Sequence, residues 1–161
     1  MRVIFLDIDG VLNDAKTTGG HWRIRLPRSG LPGKTSAVAP FAPECVERLN
    51  RLVRSTGAKV CLSSTWGRLF RYYALTAYIA DQGVVCDIIG RTPVTITCRP
   101  RGRDIQQWLD DWQGEPIESF VVLDDHSDMV HLKDRLVQTD PTVGLQDDDV
   151  EKAIVVLNSN V

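Results

Sequence analysis

Two carboxylates and a glycine close the first apolar run of this chain. Val3-Ile4-Phe5-Leu6 leads into Asp7, one apolar residue separates Asp7 from Asp9, and Gly10 follows. A short apolar run of this kind reads as a buried strand of a parallel sheet. Asp7 then stands at the strand's C-terminal end, the edge where open α/β sheets bind ligands. A turn beginning at Asp9-Gly10 can swing both carboxylates into one crevice. There they repel each other unless a cation or a shared proton lies between them. A hard divalent ion with oxygen ligands is the simplest answer, and Mg²⁺ fits best.

Two later apolar runs also stop on polar residues. Residues 59–62 run into Ser63-Ser64-Thr65-Trp66, and residues 119–123 run into Asp124-Asp125-His126-Ser127-Asp128. The hydroxyls can cap the next helix, or bind a phosphate together with backbone N–H groups at that helix's start. Arg99-Pro100-Arg101-Gly102-Arg103 opens a further helical pattern. Three arginines in five residues oppose the helix dipole unless an anion compensates them.

This set suits phosphoryl transfer. Asp7 can attack as a carboxylate nucleophile and become an aspartyl-phosphate. Asp9 can protonate the leaving oxygen and later activate water. Mg²⁺ held by Asp7, the backbone carbonyl of Asp9 and an acid from Asp124 or Asp125 would neutralise and orient the phosphate. Ser63 and an arginine would bind its remaining oxygens. Uncatalysed phosphate-monoester hydrolysis needs accelerations up to about 10²¹, and a nucleophile, an acid, a metal and a cation together are what that barrier calls for.

The elements that must position these residues alternate strand and helix. Helices are expected over 40–56, 65–81, 103–112 and 147–157, and strands over 3–6, 59–62, 84–89, 119–123 and 136–137. The expected fold is α/β, a doubly wound three-layer sandwich around a mostly parallel five-stranded sheet. Right-handed crossovers bring the strand ends to one edge. Trp66, Leu69, Phe70, Tyr73, Ala77 and Ala80 have the spacing of a buried helical face, as do Ile105, Trp108, Leu109 and Trp112. Residues 14–40 are rich in Gly and Pro, hold no period and carry Arg23, Arg25, Arg28 and Lys34. They are expected to form a small lid or flap over the acidic turn. Asp147, Asp148 and Asp149 suit the positive end of the last helix dipole and are not counted as a metal site.

With 161 residues the chain makes one domain, 1–161, with a real core. A net charge of −2 exerts no global pull toward nucleic acid or anionic membrane, and no apolar run is long enough to span a bilayer. The N-terminal stretch does not read as a secretory signal. Cys45, Cys61, Cys86 and Cys98 have no CxxC spacing, so reduced thiols in the cytoplasm are expected rather than a zinc site.

At the residues quoted, the sequence resembles the haloacid dehalogenase (HAD) superfamily. Leu6-Asp7-Ile8-Asp9-Gly10-Val11-Leu12 is similar to its first motif, Ser63 to its second, Arg101 or Arg99 to the basic residue of its third, and Asp124-Asp125 to its fourth. Leu6-Asp7-Ile8-Asp9-Gly10-Val11-Leu12-Asn13, Leu62-Ser63-Ser64-Thr65-Trp66, Gly90-Arg91-Thr92-Pro93, Arg101-Gly102-Arg103-Asp104-Ile105 and Leu123-Asp124-Asp125-His126-Ser127-Asp128 extend the likeness to the HAD domain of Swiss-Army-Knife RNA repair proteins. The resemblance implies a HAD-like Rossmannoid with a minimal cap. It implies Asp7 and Asp9 as catalytic residues, Ser63, Ser64, Arg101 and Arg99 as phosphate ligands, and Asp7, Asp9, Asp125 and Asp124 around Mg²⁺. Asp at the second position of the first motif implies a phosphatase or phosphotransferase rather than a dehalogenase. An open site suits a bulky substrate, and the association with RNA repair points to nucleotides or to RNA or DNA ends.

Three other readings compete. A receiver-like phosphoacceptor domain also clusters acids at a sheet edge, but its phosphorylated Asp ends a middle strand, where this chain has Ser63. A catalytically quiet accessory domain in nucleic-acid repair would not need Asp7, Asp9 and Asp125 together. A nucleotide-sugar transferase with a DxD metal site would need a donor-binding domain before its Asp pair.

Overall fold

The structure, a computed structural model, describes residues 1–15, 17, 40–93 and 99–159. Strands β1 (Arg2–Leu6), β2 (Lys59–Leu62), β3 (Ile88–Arg91), β4 (Ser119–Asp124) and β5 (Leu136–Gln138) pair in parallel, in the order β3-β2-β1-β4-β5. The strand order reverses between β1 and β4, and ligands bind at the carboxyl ends beside such a reversal.

Alternation along each strand sorts the core into two layers. Ile4, Leu6, Val60, Leu62, Val121 and Leu123 pack against helices α1 (Pro43–Thr56), α3 (Tyr72–Asp81) and α5 (Asp147–Asn158). Val3, Phe5, Cys61, Phe120 and Val122 face α4 (Arg101–Asp111) and the 3₁₀ segment Val130–Arg135, meeting Ile105, Met129 and Leu132. Trp108 of α4 stands edge-on to Phe5, with ring centroids 5.3 Å apart. The first helix follows its sequence signals. Pro43 lies in its first turn, and Gly57, at φ 65°, closes it in the left-handed conformation with its N–H on the Val53 carbonyl.

The expected helix over 65–81 is two helices. A single turn, α2 (Trp66–Leu69), ends at Phe70, whose backbone is extended at φ −119° and ψ 146°. The Arg91 guanidinium donates to the Gly67 and Phe70 carbonyls at 3.0 and 3.3 Å, satisfying groups that a continuing helix would have used. The break resets the helical phase. Trp66 stays buried and Phe70 half-buried, but Leu69 is 46% exposed and Tyr73 57% exposed. Ala77 and Ala80 are also exposed, and Ala74, Leu75 and Ile79 form the buried face instead.

The third strand lies at Ile88–Arg91 rather than over 84–89. The Asn50 side chain bonds the Gly83 carbonyl and the Val85 N–H, tying that stretch to α1 outside the sheet. The fourth helix begins at Arg101, and only Ile105 of its four expected core residues is fully buried; Trp108, Leu109 and Trp112 are half-buried. The expected lid over 14–40 lies outside the described residues except for positions 14, 15, 17 and 40. Cys45 and Cys61 are buried free thiols and Cys86 is half-buried, while Cys98 lies outside the described residues. No helix among the described residues is long and apolar enough to cross a membrane.

Candidate active site

Sheet register assembles the site. Leu6 pairs with Leu62 on one side and Leu123 on the other, so Asp7, Ser63 and Asp124 fall on the next rung, at the carboxyl edge. The Ser63 N–H donates to the Leu6 carbonyl at 2.8 Å and the Asp7 N–H to the Leu123 carbonyl at 3.0 Å. Alternation puts these three side chains on the face of Phe5, Cys61 and Val122, the face that α4 covers.

Arg101, the first residue of α4, meets them there. Its Nη2 lies 3.1 Å from Asp7 Oδ2, its Nε lies 3.0 Å from Asp124 Oδ2, and its Nη1 donates to the Ser63 carbonyl. The start of α4 is docked onto the loop after β4. The Arg101 N–H donates to Asp128 Oδ2 at 3.0 Å and the Gly102 N–H to the Asp128 carbonyl at 3.3 Å. A Cβ at position 102 would fall 2.0 Å from the Met129 carbonyl oxygen, so glycine is what permits this approach. The anions demanded by the arginine-rich helix start are therefore the protein's own: Asp128 at the backbone, Asp7 and Asp124 at the Arg101 side chain. Arg99 turns elsewhere, with Nε 3.7 Å from Asp104 Oδ1 and Nη1 donating to Gln107 Oε1 at 3.4 Å.

The turn after β1 is equally constrained. Gly10 has φ 72°, and a Cβ there would lie 2.8 Å from the Asp125 Cβ. Left-handed backbone and close approach both require glycine at this point. The Gly10 N–H donates to Asn13 Oδ1 at 3.1 Å, and the Thr139 hydroxyl donates to the Gly10 carbonyl at 2.7 Å. Asp9 accepts from Asn13 Nδ2 at 2.9 Å and from Trp66 Nε1 at 2.8 Å, one donor on each carboxylate oxygen.

Asp7, Asp124 and Asp125 each offer an oxygen within 4.8 Å of the others. Burial pushes Asp7 up to about 6, against the pull of Arg101, a Ser64 hydrogen bond and the Ile8 N–H. Burial, reinforced by Asp7, pushes Asp124 up to about 8 although Arg101 opposes it. Burial also works against the charge of Arg101, and the carboxylates of Asp7 and Asp124 outweigh it, so the guanidinium is held charged. Among the described residues, two buried oxygens at this edge lack a hydrogen bond: Ser63 Oγ and Asp124 Oδ2. Asp124 Oδ2 has the Arg101 charge at 3.0 Å without hydrogen-bond alignment. An oxygen-only donor set, crowded with like charge and short of hydrogen bonds, fits a hard divalent cation.

Two adjoining clefts open onto these groups and share Thr65, Arg101 and His126. One, of about 380 Å³, is lined by Asp7, Asp9 and Asp125. The other, of about 230 Å³, is lined by Ser63, Ser64, Thr92, Arg68 and Arg99. Every residue that the sequence marks for the site thus lies at one sheet edge, but of the two arginines only Arg101 touches the carboxylates. Ser64 Oγ is engaged by the Trp66 N–H at 3.3 Å, whereas Ser63 Oγ is buried without a hydrogen-bond partner among the described residues. Asn13, Trp66, Gly102 and Asp128 lie in the stretches that carry the family resemblance, but the sequence assigns them no role at this site. By spacing, Trp66 reads as a core aromatic, while Gly102 beside an arginine at a helix start carries a readable signal of close backbone approach.

The family described as "HAD domain in Swiss Army Knife RNA repair proteins" matches residues 3–150, a span that contains every group at this edge. No curated protein matches the chain.

Proposed function

The chain belongs to the family of HAD domains in Swiss Army Knife RNA repair proteins, and on that premise we propose that it is a Mg²⁺-dependent phosphatase working through an aspartyl-phosphate. The observation that carries the reading is the charge-paired rung at the sheet edge: Asp7 and Asp124 bridged by Arg101, with Asp125 completing the carboxylate group. Asp7, Asp124 or Asp125, and the Asp9 carbonyl would hold the cation. When bound, Mg²⁺ neutralises the carboxylate cluster and the phosphate that enters it.

One oxygen of Asp7 attacks phosphorus in line with the ester oxygen. The P–O bond to the leaving group breaks as Asp9 gives that oxygen a proton. Arg101 keeps Asp7 oriented and its attacking form charged, and the unpartnered Ser63 hydroxyl donates to a phosphoryl oxygen. Asp9 then takes a proton from water, whose oxygen attacks phosphorus and frees Asp7 and inorganic phosphate. The second cleft supports a nucleotide or a nucleic-acid end as substrate. Arg68 and Arg99 line it beside the hydroxyl end of the rung, where an anionic leaving group would lie.

Phosphate release is the test, measured with Mg²⁺ and with EDTA. The panel is p-nitrophenyl phosphate, mononucleotides, and RNA and DNA bearing 5′- or 3′-phosphate. Mg²⁺-dependent release, fastest from one polynucleotide end, is expected. Release from small esters alone leaves a general phosphatase, and no release from any substrate refutes the catalytic reading in favour of a quiet accessory domain.

A further inference from the structure

Asp9 stands out in the site because both of its carboxylate oxygens are held by neutral donors from outside its own strand end. Asn13 Nδ2 reaches Oδ1 at 2.9 Å and Trp66 Nε1 reaches Oδ2 at 2.8 Å. Both donors are fully buried, whereas Asp9 is half-exposed and lines the larger cleft with Asp7 and Asp125. Asn13 cannot easily turn away, because its own Oδ1 accepts the Gly10 N–H at 3.1 Å. Trp66 is fixed by aromatic neighbours: Phe41, Phe70 and Tyr78 stand 6.1, 5.6 and 6.0 Å from it, centroid to centroid.

We infer that Trp66, with Asn13, is a positioning residue for proton transfer: the pair clamps the Asp9 carboxylate so that its proton can move only toward the cleft. The chemistry of the donors makes the clamp directional. An indole N–H and an amide NH₂ donate hydrogen bonds and accept none, so neither can take a proton from Asp9. Asp9 lines the larger cleft, so its remaining lone pairs are available to a leaving oxygen or an attacking water there. Two ties from separate elements, the turn after β1 and the start of α2, also fix the plane of the carboxylate. Such fixing matters because a proton donor is effective only when held within hydrogen-bond reach of the atom it serves. A buried tryptophan ordinarily finds some partner for its N–H. Here the partner is the residue proposed as acid and base, and that gives the contact a catalytic consequence.

The inference rests on the phosphatase reading, and the test separates the two. Trp66→Phe removes the N–H. A variant with benzothienylalanine at position 66 keeps the double ring without the N–H and covers the case in which Trp66→Phe fails to fold. Both are assayed with Mg²⁺ on p-nitrophenyl phosphate, whose leaving group needs no proton, and on an alkyl phosphate such as a mononucleotide, whose leaving group does. The expected result is a kcat/KM for the alkyl ester lower by at least about tenfold, a share of the 10²–10⁴ that general acid catalysis contributes. The kcat/KM of the p-nitrophenyl ester should change far less, because kcat/KM stops at departure of the leaving group and leaves out the water step that both esters share. In an Asp9→Asn background, substitution at position 66 should add no further loss. Equal losses of kcat/KM on both esters, or no loss on either, overturn the clamp while leaving the phosphatase reading intact. A wild-type protein that releases no phosphate from these esters or from any RNA or DNA end overturns the phosphatase reading, and the clamp falls with it.

Discussion

The protein carries two acidic triples, one consecutive in sequence and one assembled by the fold, and they differ in burial and in how their charge is met. Asp147, Asp148 and Asp149 open α5 at the helix end whose dipole favours negative charge. Asp147 pairs with Arg48 and Arg51 at 3.3 and 2.7 Å, and the Arg51 hydrogen bond holds its carboxyl below the usual range. Asp149 closes a capping box with Gln146 and lies 3.5 Å from Lys152. Asp7, Asp124 and Asp125 instead crowd together at a sheet edge with two members buried and raised in pKa. The Arg101 guanidinium is shared between two of them. The first triple stabilises a helix start. The second is crowded with like charge that Arg101 offsets only in part, the demand that the proposed cation would meet.

The contrast is open to direct attack. Asp7→Asn should lower phosphate release by about 10³-fold or more, as loss of a nucleophile does, with the fold intact by circular dichroism. Retained turnover would remove the site from the catalytic class altogether. Without metal, the raised carboxyls of Asp7 and Asp124 bind protons in the folded state that the unfolded chain has released. Stability in EDTA should therefore fall as pH rises from about 4 toward 8, because the folded state holds more protons through that window. Added Mg²⁺ should recover thermal stability most at the alkaline end, where it displaces fewest protons. Asp124→Asn should flatten the metal-free slope. A melting temperature that rises through the same window in EDTA would show that the cluster is satisfied as it stands. The smallest effect belongs to the other triple. Asp147→Asn should leave phosphate release unchanged and cost a little stability at neutral pH. That loss should vanish on acidification, since a lowered carboxyl contributes only above its unfolded pKa.

Much of this edge is legible in the amino-acid pattern. Apolar runs that stop on Asp7, Ser63 and Asp124 are strand ends by pattern alone, and alternating strands and helices leave few ways to arrange them. The acidic triple at the start of α5 is also readable, since carboxylates at a helix N-terminus have an electrostatic reason to be there. Pattern misleads where it runs across a boundary set from elsewhere in the fold. The helical period over 65–81 continues through Phe70, but the Arg91 side chain, from the next strand, caps the first turn and shifts the buried face. Likewise Val84 and Val85 look like a strand, yet Asn50 ties the Gly83 carbonyl and the Val85 N–H to α1, and the strand begins only at Ile88.

The parts of this protein are written in its residues: which runs are strands, which side chains end them, and that carboxylates, hydroxyls and an arginine share one edge. Those follow from hydrophobic period and from residue chemistry, which are local. The partnerships come from packing. It aligns Leu62, Leu6 and Leu123 so that Ser63, Asp7 and Asp124 form one rung, and it docks Gly102 on Met129 so that Arg101 rather than Arg99 bridges the carboxylates. It also aims the indole of Trp66 at Asp9 across 57 residues of chain. Register, close backbone approach and the direction of a buried N–H depend on which surfaces meet in three dimensions, and a one-dimensional pattern does not encode them.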